Sequence, residues 1–107
     1  MCEVVAFVTA NVAGALDTTS LARRIGISER QLNRLFVDHL GLPPGRFVRR
    51  TRVEAAARLL DSTALPVAAV ARRGGFGTLD ALRQAFVARF GVSPSRHRSA
   101  TAERLVG

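Results

Sequence analysis

The sequence predicts an all-α fold of two helix-turn-helix halves in tandem, joined by one long connector helix. Three observations lead there: a helix-favouring composition, an internal repeat, and helix punctuation that recurs in both copies of the repeat. Of the 107 residues, 48% are hydrophobic, so the chain can bury a core and is not disordered by composition. Aromatics are limited to six Phe, with no Trp or Tyr, while Ala, Leu, Val and Arg dominate, which favours helix over sheet.

The repeat is direct. Segment 31–47, QLNRLFVDHLGLPPGRF, aligns with 81–97, ALRQAFVARFGVSPSRH, at an offset of 50. Leu32 meets Leu82, Phe36 meets Phe86, Gly41 meets Gly91, Pro44 meets Pro94 and Arg46 meets Arg96. Upstream the offset is 49: Leu21, Ala22, Arg23, Arg24 and Gly26 meet Val70, Ala71, Arg72, Arg73 and Gly75. One extra residue therefore lies between Gly75 and the following helix. Ordered identities with intact punctuation mark a duplication.

The elements follow in order. The apolar start, MCEVVAFVTANVAGAL, is too short to span a bilayer, carries Glu3 and Asn11, and lacks the basic start of a signal peptide. It reads as an amphipathic helix with Val4, Phe7, Val8 and Val12 on one face and Gly14 as its stop. Asp17 caps a short helix holding Leu21, Ala22 and Ile25, and Gly26 ends it. Ser28 caps the next helix, with Gln31 completing a capping box; Leu32, Leu35, Phe36 and Leu40 point inward, and Gly41 is the stop. Pro44 opens the connector, which runs to about Asp61 and would be some 27 Å long.

In the second copy Pro66 opens a short helix, Gly74 and Gly75 make the turn, and Thr78 caps a helix with Leu82, Ala85, Phe86 and Phe90 inward. Ser93 and Pro94 open a last short helix, and the tail from about Thr101 frays. Ala22 and Ala71 stand four residues before their turn glycines, where crossing helices of a helix-turn-helix need a small side chain. The expected organisation is thus an N-terminal subdomain over 3–43, a connector over 44–61, a C-terminal subdomain over 62–100 and a tail over 101–107.

Charge supplies the first functional constraint. Sixteen basic residues, all Arg, face eight acidic ones, a net +8 that suits a polyanionic partner. An all-Arg surplus also fits a GC-rich coding bias, but Arg still offers a planar fork for phosphate or guanine. The single Cys2 allows neither an intrachain disulfide nor a Cys-based metal site, which suits a reducing cytoplasm. His39 reads as a helix-end residue and His97 as an exposed one. Acids are scattered and no nucleophile sits in a motif, so no catalytic site, metal or cofactor is expected and an enzyme is disfavoured.

On the first long helix Arg30, Asn33, Arg34 and Val37 share an outward stripe. Their partners by the repeat are Asp80, Arg83, Gln84 and Val87. Arg suits guanine edges, and Asn or Gln suits adenine, so two such stripes on the second helices of helix-turn-helix units fit major-groove entry. Gln31 and Thr78, at the heads of the two helices, join the candidate set. Asp80 is expected to cap its own helix, with cytosine N4 as the other option; Leu79 and Ala81 either meet thymine methyls or one of them is buried. Candidate phosphate contacts are Arg46, Arg49, Arg50 and Arg52 on the connector, with Arg72, Arg73, Arg96 and Arg98. Arg58 and Glu54, spaced i, i+4, are expected to pair on the helix surface.

These residues carry a resemblance to the DNA-binding region of the AraC/XylS family of bacterial regulators. LARRIGISERQLNRLF (21–36), RRTRVEAAARLL (49–60) and VARRGGFGTLDALRQAFVARFGVSPSRHR (70–98) bear it over about residues 4 to 99. The resemblance implies a bilobed, homeodomain-like domain of about seven helices whose two recognition helices enter successive major grooves. It also implies a cytoplasmic, nucleoid-associated activator that touches RNA polymerase. The family often has an aromatic at Leu82 and an Arg at Gln84, and a capping Ser or Thr at Pro43 and Pro66. The Leu-Arg-Gln-Ala-Phe stretch is similar to the subgroup with an amidase-like N-terminal domain. The first DNA-binding helix begins almost at Met1, so the chain reads either as a stand-alone regulator or as a piece of a longer one.

The expected partner is double-stranded DNA, bound by a monomer on an asymmetric site, with no membrane involved. The first unit is expected to discriminate and the second to position. A basic RNA-binding protein is the second reading, disfavoured because the Phe residues fall on core periods rather than on a stacking platform. A helical protein-interaction module is the third.

Overall fold

A computed structural model describes residues 2–14 and 16–99; the expected tail over 101–107 lies outside the described residues. Among these residues the chain is helical throughout, without strands: α1 (Cys2–Ala10), α2 (Thr18–Ile25), α3 (Glu29–Leu40), α4 (Pro44–Ser62), α5 (Val67–Arg73), α6 (Leu79–Phe90) and α7 (94–99). It divides into two compact units, residues 1–51 and 52–107, so α4 gives its first two turns to one and the remainder to the other.

In the first unit α1 stops at Ala10, four residues before the expected Gly14. Asn11 causes this. Its side-chain amide donates to the Phe7 carbonyl at 2.9 Å while its own N–H turns to Val8 at 3.2 Å, so the side chain displaces the regular helical bond. Asp17 caps α2 by accepting the Ser20 N–H at 3.1 Å, and the Ser20 hydroxyl donates to the same carboxylate at 2.7 Å. Gly26 ends the helix at φ +82°, a left-handed backbone that costs a side-chain-bearing residue about 1–2 kcal/mol. The capping box on α3 is complete: Gln31 N–H donates to Ser28 Oγ at 3.1 Å, and Ser28 N–H to Gln31 Oε1 at 3.0 Å.

Leu21, Ala22, Leu32 and Phe36 form the core with Val8, Leu16, Phe47 and Val48. Phe36 and Phe47 meet edge to face at 5.5 Å. Two expected core residues are not in it. Ile25 is 41% exposed and Leu35 39%, and both line an open cavity of about 400 Å³ with Val4, Phe7, Leu21 and Leu32. The helical period placed them on the correct side of α2 and α3, where they border the cavity together with Val4 and Phe7 of α1 and stay open to solvent.

The second unit repeats the scheme. Val70, Ala71, Leu82, Ala85 and Phe86 pack with Val53, Ala56 and Leu60 of α4. Gly74 is buried where α5 meets α4; a Cβ there would stand 3.2 Å from the Val70 carbonyl oxygen and 3.5 Å from the Ala56 Cβ. Gly75 then takes the left-handed turn at φ +87°. Thr78 caps α6, accepting the Ala81 N–H at 3.0 Å.

Three sequence expectations are corrected here. Phe90 is 36% exposed rather than inward, packed against Phe86 at 4.7 Å and His97 at 5.9 Å. Glu54, expected to pair with Arg58, forms an ion pair across to Arg89 on α6, at 3.7 Å. His97 is half-buried rather than exposed: its Nε2 lies 2.9 Å from Asp61 Oδ1 and its ring stands edge-on to Phe86 at 5.2 Å.

Candidate nucleic-acid interface

Each unit crosses a short helix with a longer one, and the inward faces fix which side chains are left outward. Burial of Leu32 and Phe36 on α3 turns Arg30, Asn33, Arg34 and Val37 to solvent. Burial of Leu82, Ala85 and Phe86 on α6 does the same for Asp80, Arg83, Gln84 and Val87. Both stripes therefore lie where the periodicity placed them, at matching registers of the duplication.

Their chemistry differs. The α3 stripe carries two guanidinium groups and one carboxamide, whereas in the α6 stripe the single Arg83 is offset by Asp80. Asp80 is not the helix cap expected of it. Thr78 holds that position, and Asp80 sits one turn before Gln84, whose Nε2 approaches Asp80 Oδ2 at 3.5 Å. Gln31 and Thr78 are exposed at the heads of α3 and α6, but each has an oxygen committed to capping: Gln31 Oε1 to Ser28, Thr78 Oγ1 to Ala81.

The outlying cations sort by burial. Arg46, Arg49 and Arg50 on α4, Arg72 and Arg73 at the end of α5, and Arg96 in α7 are all exposed. Arg52 is half-buried, and that desolvation lowers its pKa. Arg98 belongs to the scaffold. Its guanidinium donates to the carbonyls of Leu60, Thr63 and Leu65, gathering the end of α4 and the loop that follows. The sequence held one signal for this neighbourhood: His97 is the repeat partner of Phe47, so a packed ring was due there. Arg24, also unassigned from sequence, lies over the Phe7 ring at 4.0 Å, a cation–π contact tying α2 to α1.

Among the described residues no His, Cys, Asp and Glu cluster has the makings of a metal site, and no helix is long and apolar enough to cross a membrane.

A family described as "Helix-turn-helix domain", of AraC type, matches residues 21–100. The HTH-type transcriptional regulator Rv1931c of Mycobacterium tuberculosis is 45% identical over 89 residues, 83% of this chain and 34% of that protein. The HTH-type transcriptional activator AarP of Providencia stuartii is 30% identical over 96 residues, 90% of this chain and 71% of that protein. The chain thus spans about a third of the mycobacterial relative. Among solved structures, the DNA-binding domain of AdpA, a global transcriptional factor in complex with a target DNA, superposes with a TM-score of 0.93 at 35% identity, covering 96% of this chain and 93% of that one. Fold, duplicated outward stripes and likeness converge: the chain belongs to the AraC-type helix-turn-helix family, the DNA-binding domains of transcription regulators.

Proposed function

We propose that this chain is a sequence-specific regulator of transcription that reads two successive major-groove segments of duplex DNA as a monomer, α3 in one and α6 in the other. The observation that carries the reading is the pair of exposed stripes at equivalent registers with unequal chemistry. A monomer presenting two different recognition surfaces calls for an asymmetric site rather than a palindrome. Arg30, Asn33 and Arg34 supply most of the base discrimination, Arg83 and Gln84 add hydrogen bonds from α6, and Arg46, Arg49, Arg50 and Arg96 bind phosphate. Activation through contact with RNA polymerase, in the cytoplasm at the nucleoid, extends this reading; AarP, an activator by name, supports it.

Selection of bound duplexes from a random pool tests the proposal. The expected product is an asymmetric site with two short blocks about 10 base pairs apart, bound by one copy with affinity falling steeply as salt rises. A palindrome occupied by a dimer overturns the monomer reading, and equal affinity for all duplexes overturns sequence specificity.

A second reading is favoured by coverage: the chain matches 34% of the mycobacterial regulator. In that case it is the DNA-binding portion of a larger, effector-responsive protein, and the same selection returns the same site.

A further inference from the structure

Six large apolar side chains, Ile25, Leu35, Val37, Leu79, Val87 and Phe90, keep 36–45% of their surface exposed. Three have an account within the fold. Ile25 and Leu35 line the cavity of the first unit, and Phe90 packs on Phe86 and His97. The other three, Val37, Leu79 and Val87, belong to neither core cluster. All three lie on the outward faces of the two recognition helices.

Their positions are not scattered. Val37 follows Arg30 by seven residues and Val87 follows Asp80 by seven, so each sits on the centre line of its stripe two turns from the stripe's first member. The two are equivalent in the duplication and almost equally exposed, at 44% and 45%. Leu79 is the first residue of α6 and lies one turn before Arg83. Valine is a poor choice for a solvent-facing helix position, because its branched Cβ loses rotamer freedom and its methyls gain nothing from water. It gains nothing from a phosphate either. On the major-groove edges of the four base pairs the apolar group on offer is the C5 methyl of thymine.

We infer that Val37, Leu79 and Val87 are specificity-determining residues that pack against pyrimidine C5 methyls, one in the segment facing α3 and two in the segment facing α6. The inference rests on the proposed reading of duplex DNA by these helices. It also supplies what the α6 stripe lacks: with its one Arg beside Asp80, that helix reads its segment chiefly by apolar contact. The recognised chemistry is the methyl itself, so 5-methylcytosine satisfies it as thymine does.

The test uses the duplex recovered by selection. Each thymine is replaced singly by deoxyuridine, which removes the C5 methyl and leaves every hydrogen-bonding group in place. Affinity should fall about fourfold, the worth of one buried methyl, at one position in the α3 block and two in the α6 block. Val37→Ala should abolish the sensitivity in the first block, and Leu79→Ala and Val87→Ala should each abolish one in the second. Where cytosine is placed at such a position, its 5-methyl form should bind more tightly. Retained sequence preference with indifference to deoxyuridine overturns this inference alone, as does a sensitivity pattern that none of the three alanine variants alters. Loss of all sequence preference in the unmodified protein and duplex overturns the DNA reading with it.

Discussion

The ring of His97 stands edge-on to Phe86 at 5.2 Å, in the place where the first unit sets Phe47 against Phe36 at 5.5 Å. The duplication has kept the contact and changed its chemistry, adding a bond from the imidazole to Asp61. His97→Ala should therefore destabilise the second unit by about 1–3 kcal/mol through lost ring packing. His97→Phe should recover most of that loss without the Asp61 bond. Urea unfolding of the two variants separates packing from hydrogen bonding.

Arg96 and Arg98 are two residues apart and should behave as opposites. Arg98→Ala removes a cation from three carbonyls and should cost about 1.5–3 kcal/mol of stability, with no change in the salt dependence of DNA binding. Arg96→Ala should leave stability within about 0.5 kcal/mol and reduce the slope of log affinity against log salt by about 1. Melting curves and a salt titration of each variant check both halves.

Arg30→Ala and Arg34→Ala should each weaken binding to the preferred duplex about 10- to 100-fold and relax selection at one position in one block. Arg83→Ala should do less, because Asp80 already offsets its charge on the α6 stripe. Equal or greater loss for Arg83→Ala would reverse the assignment of the discriminating unit.

The Asp17 carboxyl is held below its ordinary value by hydrogen bonds from the Ser20 hydroxyl and backbone N–H. A carboxylate with a depressed folded pKa adds stability that is complete above its unfolded value. That contribution disappears as pH falls through the folded value. The Ser20 amide resonance should consequently titrate with a midpoint below the ordinary Asp value. Asp17→Asn, which keeps a capping oxygen, should abolish that titration while leaving α2 intact.

Gly75 and Gly77 flank Phe76 but carry different burdens. Gly75 sits at φ +87°, so Gly75→Ala should cost about 1–2 kcal/mol of backbone strain. Gly77 has no positive φ and open space around its Cα, so Gly77→Ala should change stability by less than about 0.5 kcal/mol. Thermal melts of the pair provide the comparison.

What could be read from the sequence was whatever the chain decides locally. Asp17, Ser28 and Thr78 as caps, and Gly26, Gly41, Gly75 and Gly91 as the stops and turn that prove left-handed, depend on neighbours within four residues. The outward stripes were legible for the same reason, since a helix with Leu32 and Phe36 buried has one opposite face. Ile25, Leu35 and Phe90 were misplaced because periodicity names a side of a helix and not what lies over it. Arg98, His97 and the Glu54–Arg89 pair were missed or misassigned because their partners come from more than thirty residues away. Asn11 defeated the Gly14 rule because a side chain competed with the backbone one turn earlier.

Ile27 and Phe76 are bound alike: Ile27 N–H reaches the Ala22 carbonyl at 3.1 Å and Phe76 N–H the Ala71 carbonyl at 2.8 Å, and each side chain packs on its own core. They remain partners at the offset of 49, while the caps Ser28 and Thr78 are partners at 50. The extra residue is therefore Gly77, inserted after the apolar plug of the turn and before the cap of the next helix. The scaffold has an expansion joint there. Chain length differs at that point between the two copies, while the plug before it and the cap after it keep the same bonds in both.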